Sequence, residues 1–75
     1  MTPDDFKAWR RQMGWSQQAA AEALGLGKSS IQLYEAGRRR DDHRPVEIPR
    51  TVALACAALA AGLEPFGVLN IDELP

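Results

Sequence analysis

The chain has 75 residues, 45% of them hydrophobic and 25% charged, with a formal net charge of −1. That is the composition of an ordinary globular domain, which argues against a disordered tail or a fibrous repeat, and the length leaves no room for a second domain or a large enclosed active site. One cysteine, Cys56, and one histidine, His43, exclude an intramolecular disulfide and an ordinary zinc set, so no metal or cofactor is expected and tight helix packing or a second subunit must stabilise so small a core.

Thr2-Pro3-Asp4-Asp5 reads as a helix start: a capping hydroxyl, a proline suited to the first helical position and two acids at the positive end of the helix dipole. Phe6, Trp9 and Met13 then recur at spacings of three and four, and Gly14 offers a stop, so the first helix is expected to end near Met13. Ser16 is a second capping residue, with Trp15 before it placed to staple onto Ala20, and the stretch from Gln17 to Leu24 is strongly helical before Gly25. A third helix opens near Lys28, carries Ile31 and Tyr34 and stops at Gly37. Two short helices joined by Gly25-Leu26-Gly27 form a helix-turn-helix, whose second helix can be presented to a DNA major groove.

From Arg38 to Ile48 the sequence is rich in Arg, Asp and Pro and lacks apolar periodicity, which predicts an exposed loop. Pro49 restarts a helix in which Val52, Cys56, Leu59 and Leu63 form one apolar stripe, closed by Gly62 and Pro65. The fold expected is therefore all-α. A domain over residues 1–64, with the helix-turn-helix at about 17–37, is followed by a tail over 65–75. The longest apolar run, Val52 to Leu63, is too short for the ~18 residues of a membrane span and no leader-like segment opens the chain, so a cytoplasmic protein with no membrane partner is expected.

Charge is unevenly placed. Residues 1–50 hold all nine Lys and Arg against seven acids, whereas residues 51–75 hold only Glu64, Asp72 and Glu73. A basic half suited to a polyanion is thus joined to an acidic, apolar one.

Within residues 17–37, QQAAAEALGLGKSSIQLYEAG, each position has a physical role. Ala21 is small where two helices cross closely, Gly25 suits the positive φ of a turn, and Ala20, Leu24, Leu26, Ile31 and Tyr34 supply a shared apolar interior. With "WRRQMGWSQ" before it, "YEAGRRR" at its end and "IPRTVALACAAL" beyond, the chain resembles the Cro/repressor-type (XRE) helix-turn-helix family of phage repressors over roughly residues 4–63. It is also similar, in size and in the "RP…P" loop before an Ala/Leu-rich helix, to small repressors associated with anti-CRISPR operons. The resemblance implies a four- to five-helix domain of the lambda-repressor type that binds specific double-stranded DNA, usually as a dimer on an inverted repeat. It also implies a structural ion pair between Arg10 and Glu35. Two features depart from the pattern: Gly27 stands where Ser or Thr usually caps the recognition helix, and the 38–48 loop is long and interrupted by Asp41-Asp42.

With Ile31 and Tyr34 facing inward, Lys28, Ser29, Gln32 and Leu33 are left on the outer face as base readers. Lys28 suits guanine or a phosphate, Gln32 suits adenine, Ser29 either, and Leu33 a thymine methyl. The resemblance places Gln17 at a phosphate, and Arg38, Arg39, Arg40 and Arg44 supply sequence-independent backbone affinity. Taken singly these residues are an ordinary helix surface and a solvated basic loop; only the motif raises them to a site. Tyr34 and Cys56 are expected in the core.

The alanine face of the fourth helix, with Leu54 and Ala58, together with Phe66, Val68 and Leu69, is more apolar surface than a small monomer hides, which predicts a homodimer interface. The function expected is a transcriptional repressor, autoregulating its own operon, since little chain is left for a sensing or activating domain. The alternative is a protein-binding module such as an antitoxin. An enzyme is not expected, because one His, one core Cys and no paired acids give no nucleophile and base.

Overall fold

A computed structural model describes residues 1–39 and 41–67. Four helices follow in order: α1 (Pro3–Met13), α2 (Gln17–Leu24), α3 (Lys28–Ala36) and α4 (Arg50–Ala60). Arg40 of the expected phosphate contacts, and Val68 and Leu69 of the expected interface, lie outside the described residues.

Local chemistry sets the helix ends. Thr2 and Asp5 close a reciprocal capping box, the Asp5 amide donating to Thr2 Oγ1 at 3.0 Å and the Thr2 amide to Asp5 Oδ2 at 2.9 Å. The Thr2 amide, with a smaller part from the Thr2 side chain, favours the ionised Asp5 and holds its pKa below the ordinary value. Ser16 caps α2 through the Ala19 amide at 3.1 Å. Gly25 ends α2 at φ 71°, a left-handed conformation natural to glycine, and the chain reverses there as the Leu26 amide donates to Ala21 O at 2.9 Å. This leaves three residues to swing α3 against α2.

Phe6, Trp9, Ala20, Ala21, Ile31, Val52 and Cys56 form the buried core. Helix α3 packs on both α1 and α2, and α4 closes the other side of α1 and α2. Phe6 sits centrally, its ring centroid 5.2 Å from Trp9 and 5.8 Å from Tyr34 in tilted and edge-on arrangements. Trp9 Nε1 donates to the Cys56 carbonyl at 3.0 Å, a buried bond that fixes α4 on α1. Burial pushes the Cys56 thiol up to about 11, so it behaves as a small core hydrophobe.

One expectation for the second half is corrected. Leu63 does not continue the core stripe of α4: the helix ends at Ala60, Gly62 turns the chain at φ 75°, and the Leu63 amide folds back onto Ala58 O at 2.9 Å, leaving Leu63 61% exposed. Ile48, ahead of the helix, packs against the core instead, alongside Leu59. The segment after α3 is exposed at residues 41–45, as expected, and part of its backbone is paired. Arg38 and Pro45 form an antiparallel bridge, the Arg39 amide donates to Arg44 O and the Val46 amide to Gly37 O, both at 3.0 Å. The result is a minimal hairpin whose tip carries Asp41, Asp42 and His43, with His43 in the left-handed region at φ 57°.

Candidate nucleic-acid interface

Helix α3 is fixed from beneath. Arg10 on α1 grips Glu35 with two bonds, Nε to Oε2 at 2.7 Å and Nη2 to Oε1 at 3.1 Å, while its Nη1 donates to the Trp15 carbonyl at 2.9 Å. Glu35 is the one buried charged residue among those described, and the two-pronged guanidinium satisfies both of its oxygens. Its hydrogen bonds raise the Arg10 pKa still further, so the guanidinium stays charged. One residue thereby ties α1, the α1–α2 connection and α3 into a rigid unit. Ile31 is fully buried on the same side of α3, so the opposite side is turned outward.

That outward side lines an open concavity of about 740 Å³. Gln17 enters it from the start of α2, Ser29, Gln32 and Leu33 from α3, and Arg38 and Arg39 from the hairpin. The three elements meet because Gly37 is tight against α1: at φ 73° it ends α3, and a Cβ there would lie 3.0 Å from Pro3 Cγ. The chain can turn into the hairpin only with glycine at this point.

Lys28 is exposed at the first position of α3, and Arg44 is exposed on the returning hairpin strand, each outside the lining of the concavity. Lys7 of α1 and Asp41 of the hairpin tip line it as well. Neither belongs to the sequence-derived set. Lys7 lies on the face of α1 away from Phe6 and Trp9, and only the packing of α1 against α3 brings it beside Gln17 and Arg38; no local signal marks it. The α3 N-terminus has no side-chain cap, as expected with Gly27. Its first amides are left for solvent or an anion.

The concave face carries a lysine, two arginines, two glutamines and a serine against the carboxylates of Glu35, already held by Arg10, and Asp41, so its free side chains are mostly the charged and neutral donors that the anionic rims and polar base edges of a duplex require. Among the described residues no group of His, Cys, Asp and Glu gathers that could hold a metal ion, and no helix is long and apolar enough to cross a membrane. Residues 6–40 match a family model described as helix-turn-helix. Over those residues the chain is similar to the helix-turn-helix of the Cro/repressor-type (XRE) proteins. That match supports a DNA-binding transcription regulator. No curated protein and no solved structure matches the chain.

Proposed function

We propose that the protein is a transcriptional repressor that binds an inverted-repeat operator as a homodimer and regulates its own operon. The observation that carries this reading is the single concave face shared by Gln17, Ser29, Gln32, Leu33, Arg38 and Arg39. In this reading Lys28, Ser29, Gln32 and Leu33 face base edges, while Gln17, Arg38, Arg39, Arg40 and Arg44 hold the phosphate rims. A compact domain seated on promoter DNA excludes polymerase by occupancy, which makes repression the simplest output.

Dimerisation is supported by the second apolar surface. Leu54 is 58% exposed on α4 and Phe66 fully exposed after it. Beside them runs an apolar groove lined by Leu24 of α2, Ala55, Ala58 and Leu59 of α4, and Leu63. Burying this face against its own copy sets two α3 helices about one helical turn, ~34 Å, apart on DNA. An antitoxin-like role would place another protein on the same face.

Selection of bound duplexes from a random pool, followed by salt titration of the winner, tests the reading. An inverted repeat with half-sites one turn apart and a steep salt slope is expected. Gln32→Ala should then change the preferred bases rather than weaken all sites alike. Loss of affinity that is equal on every site would remove Gln32 from the readers. A protein that binds as a monomer, to a single half-site, would overturn the dimer.

A further inference from the structure

At the tip of the hairpin, Asp42 holds Arg44 twice: Oδ1 accepts the Arg44 amide at 3.1 Å, and Oδ2 lies 3.6 Å from Arg44 Nε. Both side chains are open to water, at 44% and 79% exposure. A carboxylate at this distance from a guanidinium occupies the place a DNA phosphate oxygen would take on the same cation. We propose that Asp42 is an internal competitor for phosphate: it engages Arg44 in the free protein and must yield it when the hairpin meets the DNA backbone, which lowers the protein's affinity for DNA of any sequence.

The competition is set by exposure. A solvated pair is weak, so phosphate displaces Asp42 without unfolding the hairpin, whose backbone bonds at Arg39 and Val46 do not involve either side chain. The freed carboxylate then stands near the DNA and takes up a cation. The net number of counterions released on binding is smaller than the arginines alone would give. Asp42 thus acts through Arg44, as a positioning residue, and lowers background binding while Lys28, Ser29, Gln32 and Leu33 are untouched. Asp41, its neighbour, lines the concave face and carries the same charge with no contact to Arg44 in the structure, which makes it the natural control.

This inference rests on the proposed contact between Arg44 and the DNA backbone, and the test separates the two. Binding of the full chain to a short duplex of arbitrary sequence is measured over a salt series for wild type, Asp42→Asn, Asp41→Asn, Arg44→Gln and the Asp42→Asn/Arg44→Gln pair. Asparagine keeps an oxygen for the Arg44 amide, so thermal melts of Asp42→Asn and wild type should superimpose. Asp42→Asn should tighten binding up to about fivefold beyond Asp41→Asn and steepen the salt slope by up to about one, and both gains should vanish when Arg44 is glutamine. Equal gains from Asp41→Asn and Asp42→Asn, or a gain that survives in the double variant, would reduce the effect to bulk charge and overturn the proposal. Should Arg44→Gln alone leave binding unchanged, the Arg44–backbone contact itself falls. If Arg44→Gln weakens binding but Asp42→Asn changes nothing, the contact stands and the competition does not.

Discussion

The chain uses the same two chemical groups, a guanidinium and a carboxylate, in two places with opposite consequences. Beneath α3, Arg10 and Glu35 meet at 2.7 Å with side chains 18% and 8% exposed. On the hairpin, Arg44 and Asp42 meet at 3.6 Å in open water. The first pair is shielded, doubly hydrogen-bonded and joined to the Trp15 carbonyl, so it fixes the angle of α3. The second is screened and singly approached by the side chain, so it can be exchanged for another anion. Burial, not residue type, decides which pair is framework and which is adjustable.

Breaking the buried pair should therefore have the largest effect. Arg10→Ala leaves the Glu35 carboxylate unpaired in the interior and should cost about 3 kcal/mol in urea unfolding, with loss of DNA binding following the loss of fold. Gly37→Ala forces a left-handed backbone and presses a methyl onto Pro3; about 1–2 kcal/mol is expected, and weaker DNA binding should persist at temperatures where the variant is fully folded, because Arg38 and Arg39 leave α3 from this residue. Thr2→Ala removes one half of the capping box and should cost about 1 kcal/mol.

The capping box adds a pH signature. The folded pKa of Asp5 lies below its unfolded value near 3.8, so its contribution is fully present above that pH and is lost as the pH falls through the folded value. Acid titration of wild type against Asp5→Ala should show the two stabilities converging below pH 3.8, because the substitution removes the carboxylate that the Thr2 amide holds. At the other end of the scale, Asp42→Ala should shift stability by less than about 0.5 kcal/mol, since its pair is exposed. A larger loss would show that the hairpin shares in the framework, and the contrast between the two regions would fail.

How far sequence reaches differs between these regions for the same physical reason. The helix termini are legible because each depends on residues within a turn of itself: Thr2 with Asp5, Ser16 with Ala19, Gly25 with Ala21. The outward residues Ser29, Gln32 and Leu33 share a face of α3 by helical spacing once Ile31 is placed inward, whereas Gln17, on α2, is reached only through the resemblance. The hairpin is not legible, because its backbone bonds join Gly37 to Val46 and Arg39 to Arg44 across a stretch with no alternating apolar pattern. Leu63 misleads because its spacing fits the α4 stripe while Gly62 has already turned the chain. Lys7 beside Arg38, and Trp9 against the Cys56 carbonyl, depend on tertiary packing that no local pattern encodes.

Cys56 gives the molecule a built-in clock. It is the single thiol in the sequence, it is 1% exposed, and its carbonyl is held by the Trp9 indole. A thiol reagent can reach it only when α4 lifts from α1, so the labelling rate under mild conditions counts those openings directly. Because the same event removes the indole's hydrogen-bond partner, tryptophan emission should change in step with modification, and bound DNA should slow both together.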